Sequence, residues 1–532
     1  MAEENVSYEL PRASYPEEVG VESSRIQALI NDFVENGVNV HSFMVIRHGK
    51  VAFETYREPY GPQYPHAMYS VSKSYTSAAM GFAISEGLVS LDTKVIDIFP
   101  EYRPAHFDEK LESMTVFHLL TMTAGKDVSL LSDKKKDDWI AQFFNSRWYA
   151  APGEGWKYIS ENTYMCCAII ERLTGMTVSE YLAPRLYEPL GYGRIPFWER
   201  DHHGVEAGGW GIYVTLEELA RFTECIAHGG VYAGRQVIPA DYIERAVQAV
   251  VDNSSNGPSP NSSHGYGFFF WRCALENCYR LDGMFSQFGI VFEDCDASLI
   301  IQCGEIDEDK TRESIFRHLP DMFIDSKKSK DESVDIKGLP AVNIAAPGRR
   351  SAYEKILDSK TIKLGRNALL GAIGFPVSML PLTVTYMSAD KAGNMDNVVF
   401  RFGESTCTME WDEGREHNII ECGMDGTRRS SDIVLAGIPF TALSTARWVS
   451  GSTLEVRMCP VEAVAERIMS FTFTGGRVKM VPGSVPTSSN MAAWLRDGVS
   501  TMIKAEPVAA PVRKIVMQLD KILDAPISGK IL

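Results

Sequence analysis

Residues 23–35 place Ile26, Leu29, Ile30 and Phe33 at helical spacing among polar neighbours, which predicts an amphipathic helix. Two strand-like runs follow, 41–46 and 50–56, around the turn signal Arg47-His48-Gly49. A loop rich in Pro and Tyr leads into a second helical run, 75–89, expected to stop near Gly87. Residues 118–123 form a short apolar run ending at Ala124-Gly125. A third helix is expected from about residue 160 to Thr174, stopped by Gly175. Thr177-x-x-Glu180 and Thr215-x-x-Glu218 have the form of capping boxes. The second opens a stripe of Leu216, Leu219, Phe222 and Ile226 that Gly229-Gly230 closes. A Ser/Asn/Pro/Gly loop over 253–263 precedes strand-like runs at 268–271, 279–282, 289–292 and 298–303, then a closing helix over 309–323.

Composition shifts to Lys, Ser, Asp and Pro near residues 325–347, and beyond it the hydrophobic period changes to two. Runs at 398–402, 406–411, 417–422, 453–458, 468–474 and 478–481 read as strands, with hairpin turns at Asp412-Glu413-Gly414-Arg415 and Gly475-Gly476. The organisation expected is an N-terminal arm (1–22), a mixed domain (23–325), a linker (326–349), an antiparallel β-domain of barrel or sandwich type (350–500) and a tail (501–532) with an amphipathic helix over 512–523.

The chain has 532 residues, 45% hydrophobic and 23% charged, as in a soluble globular protein of more than one domain. Its formal charge of -16 argues against nucleic acid or acidic lipid as partner. The Lys134–Lys136 run is cancelled by Asp133, Asp137 and Asp138 and reads as a solvated loop. Residues 1–5 have neither the basic nor the apolar region of a signal peptide. The apolar run 368–384 is broken by Gly371, Gly374, Pro376 and Pro381, so it reads as core strand and turn rather than a membrane span. Ten cysteines show no ligand spacing; Cys166-Cys167 reads as buried free thiols, in keeping with a reducing cytoplasm. No H-E-x-x-H occurs, and His202-His203 reads as a surface loop rather than a metal site.

Ser70-Val71-Ser72-Lys73 carries the candidate chemistry. Residues three apart share a helix face, so the Ser70 hydroxyl and the Lys73 amine are expected on one stripe. A hydroxyl needs an adjacent base to become a nucleophile, and burial can leave a lysine neutral enough to serve. Four residues alone arise often by chance. The rival pattern Ala83-Ile84-Ser85-Glu86-Gly87 resembles a G-x-S-x-G elbow but lies deep in a helical run, where no strand-turn-helix context exists.

Five segments in order change the weight: Ser70-Val71-Ser72-Lys73, residues 118–123 (HLLTMT), Tyr158-Ile159-Ser160-Glu161-Asn162-Thr163, residues 215–222 (TLEELARF) and Ser286-Gln287-Phe288-Gly289 just after Leu281-Asp282-Gly283. The set resembles the serine β-lactamase and penicillin-binding superfamily over about residues 20–325, closest to its class C-like branch of esterases, D-amino-acid peptidases and 6-aminohexanoate-dimer hydrolases. The resemblance implies an α+β fold: an antiparallel sheet flanked by helices, a helical subdomain, and the Ser70 helix between them. It implies Ser70 as acylated nucleophile, Lys73 as the group that holds or takes its proton, and Tyr158 as proton shuttle, provided the Lys73 charge lowers the phenol's pKa. The oxyanion hole would be the Ser70 N–H with an N–H after Gly283, assigned to Met284. Trp210, Tyr266 and Trp271 would line an acyl pocket, and no metal or organic cofactor is called for.

Two departures matter. Ser160 stands where class C enzymes carry Asn, leaving open whether Asn162 supplies that amide. Leu281-Asp282-Gly283 replaces Lys-Thr-Gly, which removes a cation for a substrate carboxylate and predicts weak or no β-lactamase and DD-peptidase activity. Asp282 is instead a candidate for an amine-bearing substrate. The expected function is a cytoplasmic serine hydrolase for a small ester or amide, its β-domain covering the cleft rim or making a homo-oligomer contact. Its rivals are an acyltransferase or D-amino-acid-type peptidase using the same serine, and a catalytically silent binding or scaffold protein on this fold.

Overall fold

The computed structural model describes residues 8–127, 138–201, 203–256, 261–325, 328–341, 347–366, 394–487 and 525–532. The Lys134–Lys136 run, His202, the apolar run 368–384 and the helix expected over 512–523 lie outside the described residues. The chain divides into two compact units.

The first unit is built on a six-stranded antiparallel sheet: β1 (Val40–Arg47), β2 (Lys50–Tyr56), β3 (Trp271–Arg272), β4 (Cys278–Gly283), β5 (Gln287–Phe292) and β6 (Ala297–Cys303), in the order β2-β1-β6-β5-β4-β3. Strand residues alternate between faces. On one face Phe43, Val45, Phe288, Ile290, Leu299 and Ile301 pack with Ile26, Leu29, Ile30 and Phe33 of helix α1 (Ser23–Glu35) and with Ile315 of the closing helix. Each such side chain contributes roughly 1.5–3 kcal/mol by leaving water. The other face takes α4 (Leu216–Ala227), whose capping box at Thr215 and Glu218 forms as expected. Gly289 sits opposite Thr223, where an added Cβ would meet Thr223 Cγ2 at 3.2 Å; its bareness lets α4 lie close to β5.

Between β2 and β3 the chain forms a helical region that includes α2 (Ser72–Ser85) and α3 (Ser160–Thr174), the latter closed by Gly175 in the left-handed conformation. Helix α2 is buried from Ser72 through Ala83, with Ser85 as its last residue, so no strand-turn-helix elbow forms there. A helix buried all round needs small residues where neighbours approach: Gly81 lies against the Tyr242 ring. The closing helix α5 spans Glu308–His318, shorter than expected because Pro320 follows. Part of the stretch expected as linker packs on this unit, where Leu339 is buried and donates its N–H to Thr55 Oγ1 at 3.1 Å. Among the described residues no helix is long and apolar enough to cross a membrane.

The second unit is a ten-stranded β-sheet, among the described residues: β7 (Thr361–Leu364), β8 (Met395–Phe402), β9 (Thr406–Glu413), β10 (Glu416–Gly423), β11 (Arg429–Leu435), β12 (Ile438–Trp448), β13 (Thr453–Pro460), β14 (Glu466–Thr474), β15 (Arg477–Val485) and β16 (Ile527–Ile531). Its order is β10-β9-β8-β7-β16-β15-β14-β13-β12-β11, and a further β10–β12 pairing at Gly423 and Thr445 curls it into a closed, barrel-like sheet. Phe400, Met409, Trp411, Phe471 and Met480 alternate inward. Strands β7, β11, β12 and β16 lie outside the runs expected as strands, and β16 corrects the expected boundary: the end of the stretch expected as a tail pairs with β7 and β15 inside this sheet.

Candidate active site

Ser70 lies in a single 3-10 turn, Tyr69–Val71, directly ahead of α2. The turn is fixed from both sides. Residues His66–Ala67 pair with Tyr213–Val214, and Met68 N–H donates to Ile212 O at 3.0 Å. Ser72 Oγ donates to Tyr69 O at 2.6 Å and accepts the Ile212 N–H at 3.0 Å. Tyr69 itself adopts a positive φ of 46°, a strained conformation for a bulky residue.

One helical step on, Lys73 is 1% exposed. Its Nζ donates to Ser70 Oγ at 2.9 Å, to Ser160 Oγ at 3.1 Å and to the Gly209 carbonyl at 2.7 Å. Burial lowers its pKa to about 7, against the opposing pull of Glu161 and Asp282. At neutral pH the amine is therefore divided between charged and neutral forms. Ser70 is only half-buried, so its hydroxyl is reachable while the Lys73 amine is enclosed.

Tyr158 lies just before α3, whose first residue is Ser160. Its hydroxyl hydrogen-bonds the Ser70 hydroxyl, and its ring centroid lies 4.6 Å from Lys73 Nζ. The condition for Tyr158 to act as a base, a phenol acidified by the lysine charge, is not met. The amine sits over the ring face, and burial raises the phenol above its ordinary pKa, with the Ser70 hydrogen bond opposing. Near neutral pH the lysine can thus accept a proton while the tyrosine stays protonated.

The loop ending at Trp210 supplies what the motifs did not show. Gly209 brings its carbonyl to Lys73, and a Cβ there would lie 2.7 Å from Ser160 Cβ; at Gly208 it would lie 2.8 Å from Thr76 Oγ1 of α2. The two glycines let the loop wedge between α2 and α3, a contact 136 residues from Lys73 along the chain.

At the far wall Gly283 ends β4 against the nucleophile turn. An added Cβ would fall inside contact distance of Met68 O and lie 3.2 Å from Val71 Cγ2. The following turn, which includes Met284, is held by Gln287 Nε2 donating to Phe285 O at 3.1 Å and by the Phe285 ring 5.0 Å from that of Tyr69. Tyr266 and Trp271 stand edge-on or tilted against Tyr158, at centroid distances of 6.3 and 5.2 Å, and Trp156 completes the cluster.

Three expected site residues have other roles. Asn162 is buried and directs its amide to Met122 Sδ at 3.5 Å, while Ser160 meets the lysine instead, because Asn162 sits about half a turn further round α3. Trp210 is buried and donates to Glu199 Oε2 at 3.1 Å. Asp282 is not open to a cationic substrate: its Oδ2 accepts from Arg280 Nε at 2.5 Å and Arg312 Nη1 at 3.4 Å. Arg312 lies on α5, 30 residues on, where no local pattern could announce it.

An antiparallel sheet with flanking helices, and a Ser-x-x-Lys helix at its head, is the architecture of the β-lactamase and DD-peptidase fold. The chain belongs to the Beta-lactamase family, whose model matches residues 26–302. Among relatives, it is 26% identical over 247 residues to 6-aminohexanoate-dimer hydrolase of Paenarthrobacter ureafaciens, covering 42% of this chain and 62% of that protein. It is 26% identical over 174 residues to esterase EstB of Burkholderia gladioli, covering 28% of this chain and 44% of the relative. The chain thus spans less than two thirds of these curated relatives. A penicillin-binding protein homologue from Caulobacter crescentus superposes with a TM-score of 0.46 at 18% identity, over 56% of this chain and 99% of that one.

Proposed function

We infer that the protein is a serine hydrolase that cleaves a small ester or amide through a covalent acyl-enzyme on Ser70. The observation that supports this most is the buried Lys73 amine, held between Ser70 Oγ, Ser160 Oγ and the Gly209 carbonyl with a pKa near 7. In its neutral form it takes the Ser70 proton as Oγ attacks the substrate carbonyl. Tyr158, protonated and in contact with Ser70, gives its proton to the leaving group, and the proton held by Lys73 returns to the phenolate once the amine moves from the ring face to the hydroxyl. Water then enters along the same relay in reverse and releases the acid. The N–H groups of Ser70 and Met284 stabilise the oxyanion, on a wall that Gly283 allows to stand close.

The aromatic cluster of Trp156, Tyr158, Tyr266 and Trp271 favours an uncharged acyl group. Leu281 is fully buried and Asp282 is taken up by arginines, so benzylpenicillin is a poor substrate in this reading. We place the enzyme in the cytoplasm, acting on a small molecule without nucleic acid or membrane as partner, with the β-domain accessory. A fluorophosphonate probe tests the reading: wild type is labelled on Ser70 and Ser70→Ala is not. Equal labelling of both proteins, or none of either, overturns it.

A further inference from the structure

Strands β3 and β4 form a hairpin in which Arg272 faces Tyr279 and Trp271 faces Arg280. The next rung toward the tip sets Cys273 opposite Cys278, joined by the Cys273 N–H to Cys278 O at 2.9 Å. Directly opposed residues of a hydrogen-bonded antiparallel pair have Cα atoms about 5.5 Å apart, inside the range of about 4.4–6.8 Å that a disulfide spans. The two thiols hydrogen-bond each other, and Arg280 Nη1 lies 3.7 Å from Cys273 Sγ. Both cysteines are free and buried, but the tip between them, with Ala274, Glu276 and Asn277, is exposed.

We propose that Cys273 and Cys278 are a redox modification site: a dithiol that a peroxide or a small disulfide oxidises to an intramolecular disulfide across the hairpin. The hydrogen bond from Cys278, with Arg280 beside it, holds the Cys273 thiol below its ordinary pKa despite burial, which marks it as the attacking sulfur. The Cys278 thiol is raised by the same hydrogen bond. With hydrogen peroxide, the Cys273 thiolate attacks one oxygen and becomes a sulfenic acid as hydroxide leaves. Cys278 sulfur then attacks Cys273 sulfur, its proton leaves with the hydroxyl as water, and the S–S bond closes. Two thiols are oxidised by two electrons and one peroxide is reduced to two waters. With a small disulfide the same thiolate forms a mixed disulfide, and Cys278 expels the second thiol. The bond would pin the hairpin two rungs from Trp271 and Arg280, and Trp271 packs on Tyr158.

Non-reducing peptide mapping by mass spectrometry, after exposure to glutathione disulfide or hydrogen peroxide and denaturing alkylation, tests this without reference to hydrolysis. The expected result is a peptide spanning 273–278 that has lost two hydrogens, resists alkylation and recovers both thiols with dithiothreitol. Cys225, whose sulfur sits against the Ile238 backbone, stays alkylatable. In Cys278→Ala, glutathione remains attached to Cys273. Alkylation of Cys273 and Cys278 to the same extent as Cys225 after oxidation overturns the proposal, as does a mixed disulfide that persists on wild type.

Discussion

Replacing Lys73 by methionine removes the titrating nitrogen but keeps a flexible chain of similar length. In the native protein Lys73 titrates at about 7, against 10.5 for the free side chain. At about 1.36 kcal/mol per pH unit, that gap opposes folding by on the order of 5 kcal/mol. The sign follows from proton binding. Between about pH 7 and 10.5 the unfolded chain holds a proton the folded chain lacks, so wild-type stability rises with pH. The cost is fully present below about 7 and gone above 10.5. Methionine carries no such cost but loses the hydrogen bonds to Ser70, Ser160 and Gly209, together about 3 kcal/mol. Lys73→Met is therefore expected to be inactive, yet more stable than wild type by about 1–2 kcal/mol near pH 6.5. Its advantage should shrink by about 3 kcal/mol, and reverse, near pH 9.5. Hydrogen exchange in graded urea, read on peptides from α2, reports the unit that holds the lysine. A stability difference between the two proteins that stays flat across this range refutes the reasoning.

The same titration sets the rate. With neutral Lys73 as the proposed base, kcat/KM for a simple ester is expected to rise about tenfold from pH 6 to pH 8, and a profile falling over that range contradicts the assignment. Ser160→Ala removes one of three anchors on the amine and is expected to cost about tenfold in kcat at neutral pH, measured by ester turnover. Gly283→Ala pushes the end of β4 off the Ser70 turn; loss of an oxyanion donor predicts a kcat lower by about 100- to 1,000-fold with KM little changed. Asp282→Asn strands the fully buried Arg280 without its carboxylate, so urea unfolding is expected to show a loss of roughly 3–5 kcal/mol, and no selective loss toward amine-bearing substrates.

The parts of the site that lie on short motifs were legible, since Ser70 and Lys73 are one helical step apart and Tyr158 and Ser160 flank one helix start. What joins them was not. Gly209 reaches Lys73 by a backbone carbonyl, and any residue type offers a carbonyl; only the close packing against Ser160 requires glycine. A basic Tyr158 required a cation at its hydroxyl, and the pattern could not say that the amine would face the ring instead. Asp282 looked available although Arg280, two residues back on the same strand face, was a legible partner; Arg312, on a separate helix, was not. In the second unit, strands β8 to β10 show alternation plainly, whereas β11 opens on Arg429-Ser430-Ser431-Asp432 and β12 carries Pro439, both weak strand signals. The family resemblance and fold class rested on the order of five segments, and the match over residues 26–302 covers them all.

Intact-protein mass spectrometry during turnover of an activated ester bears most directly on the acyl-enzyme. The expected result is a transient mass increase equal to the acyl group, mapped to the peptide carrying Ser70, absent from Ser70→Ala, and longer-lived in Tyr158→Phe because deacylation loses its proton relay. Turnover with no adduct on Ser70, or full activity in Ser70→Ala, would contradict it.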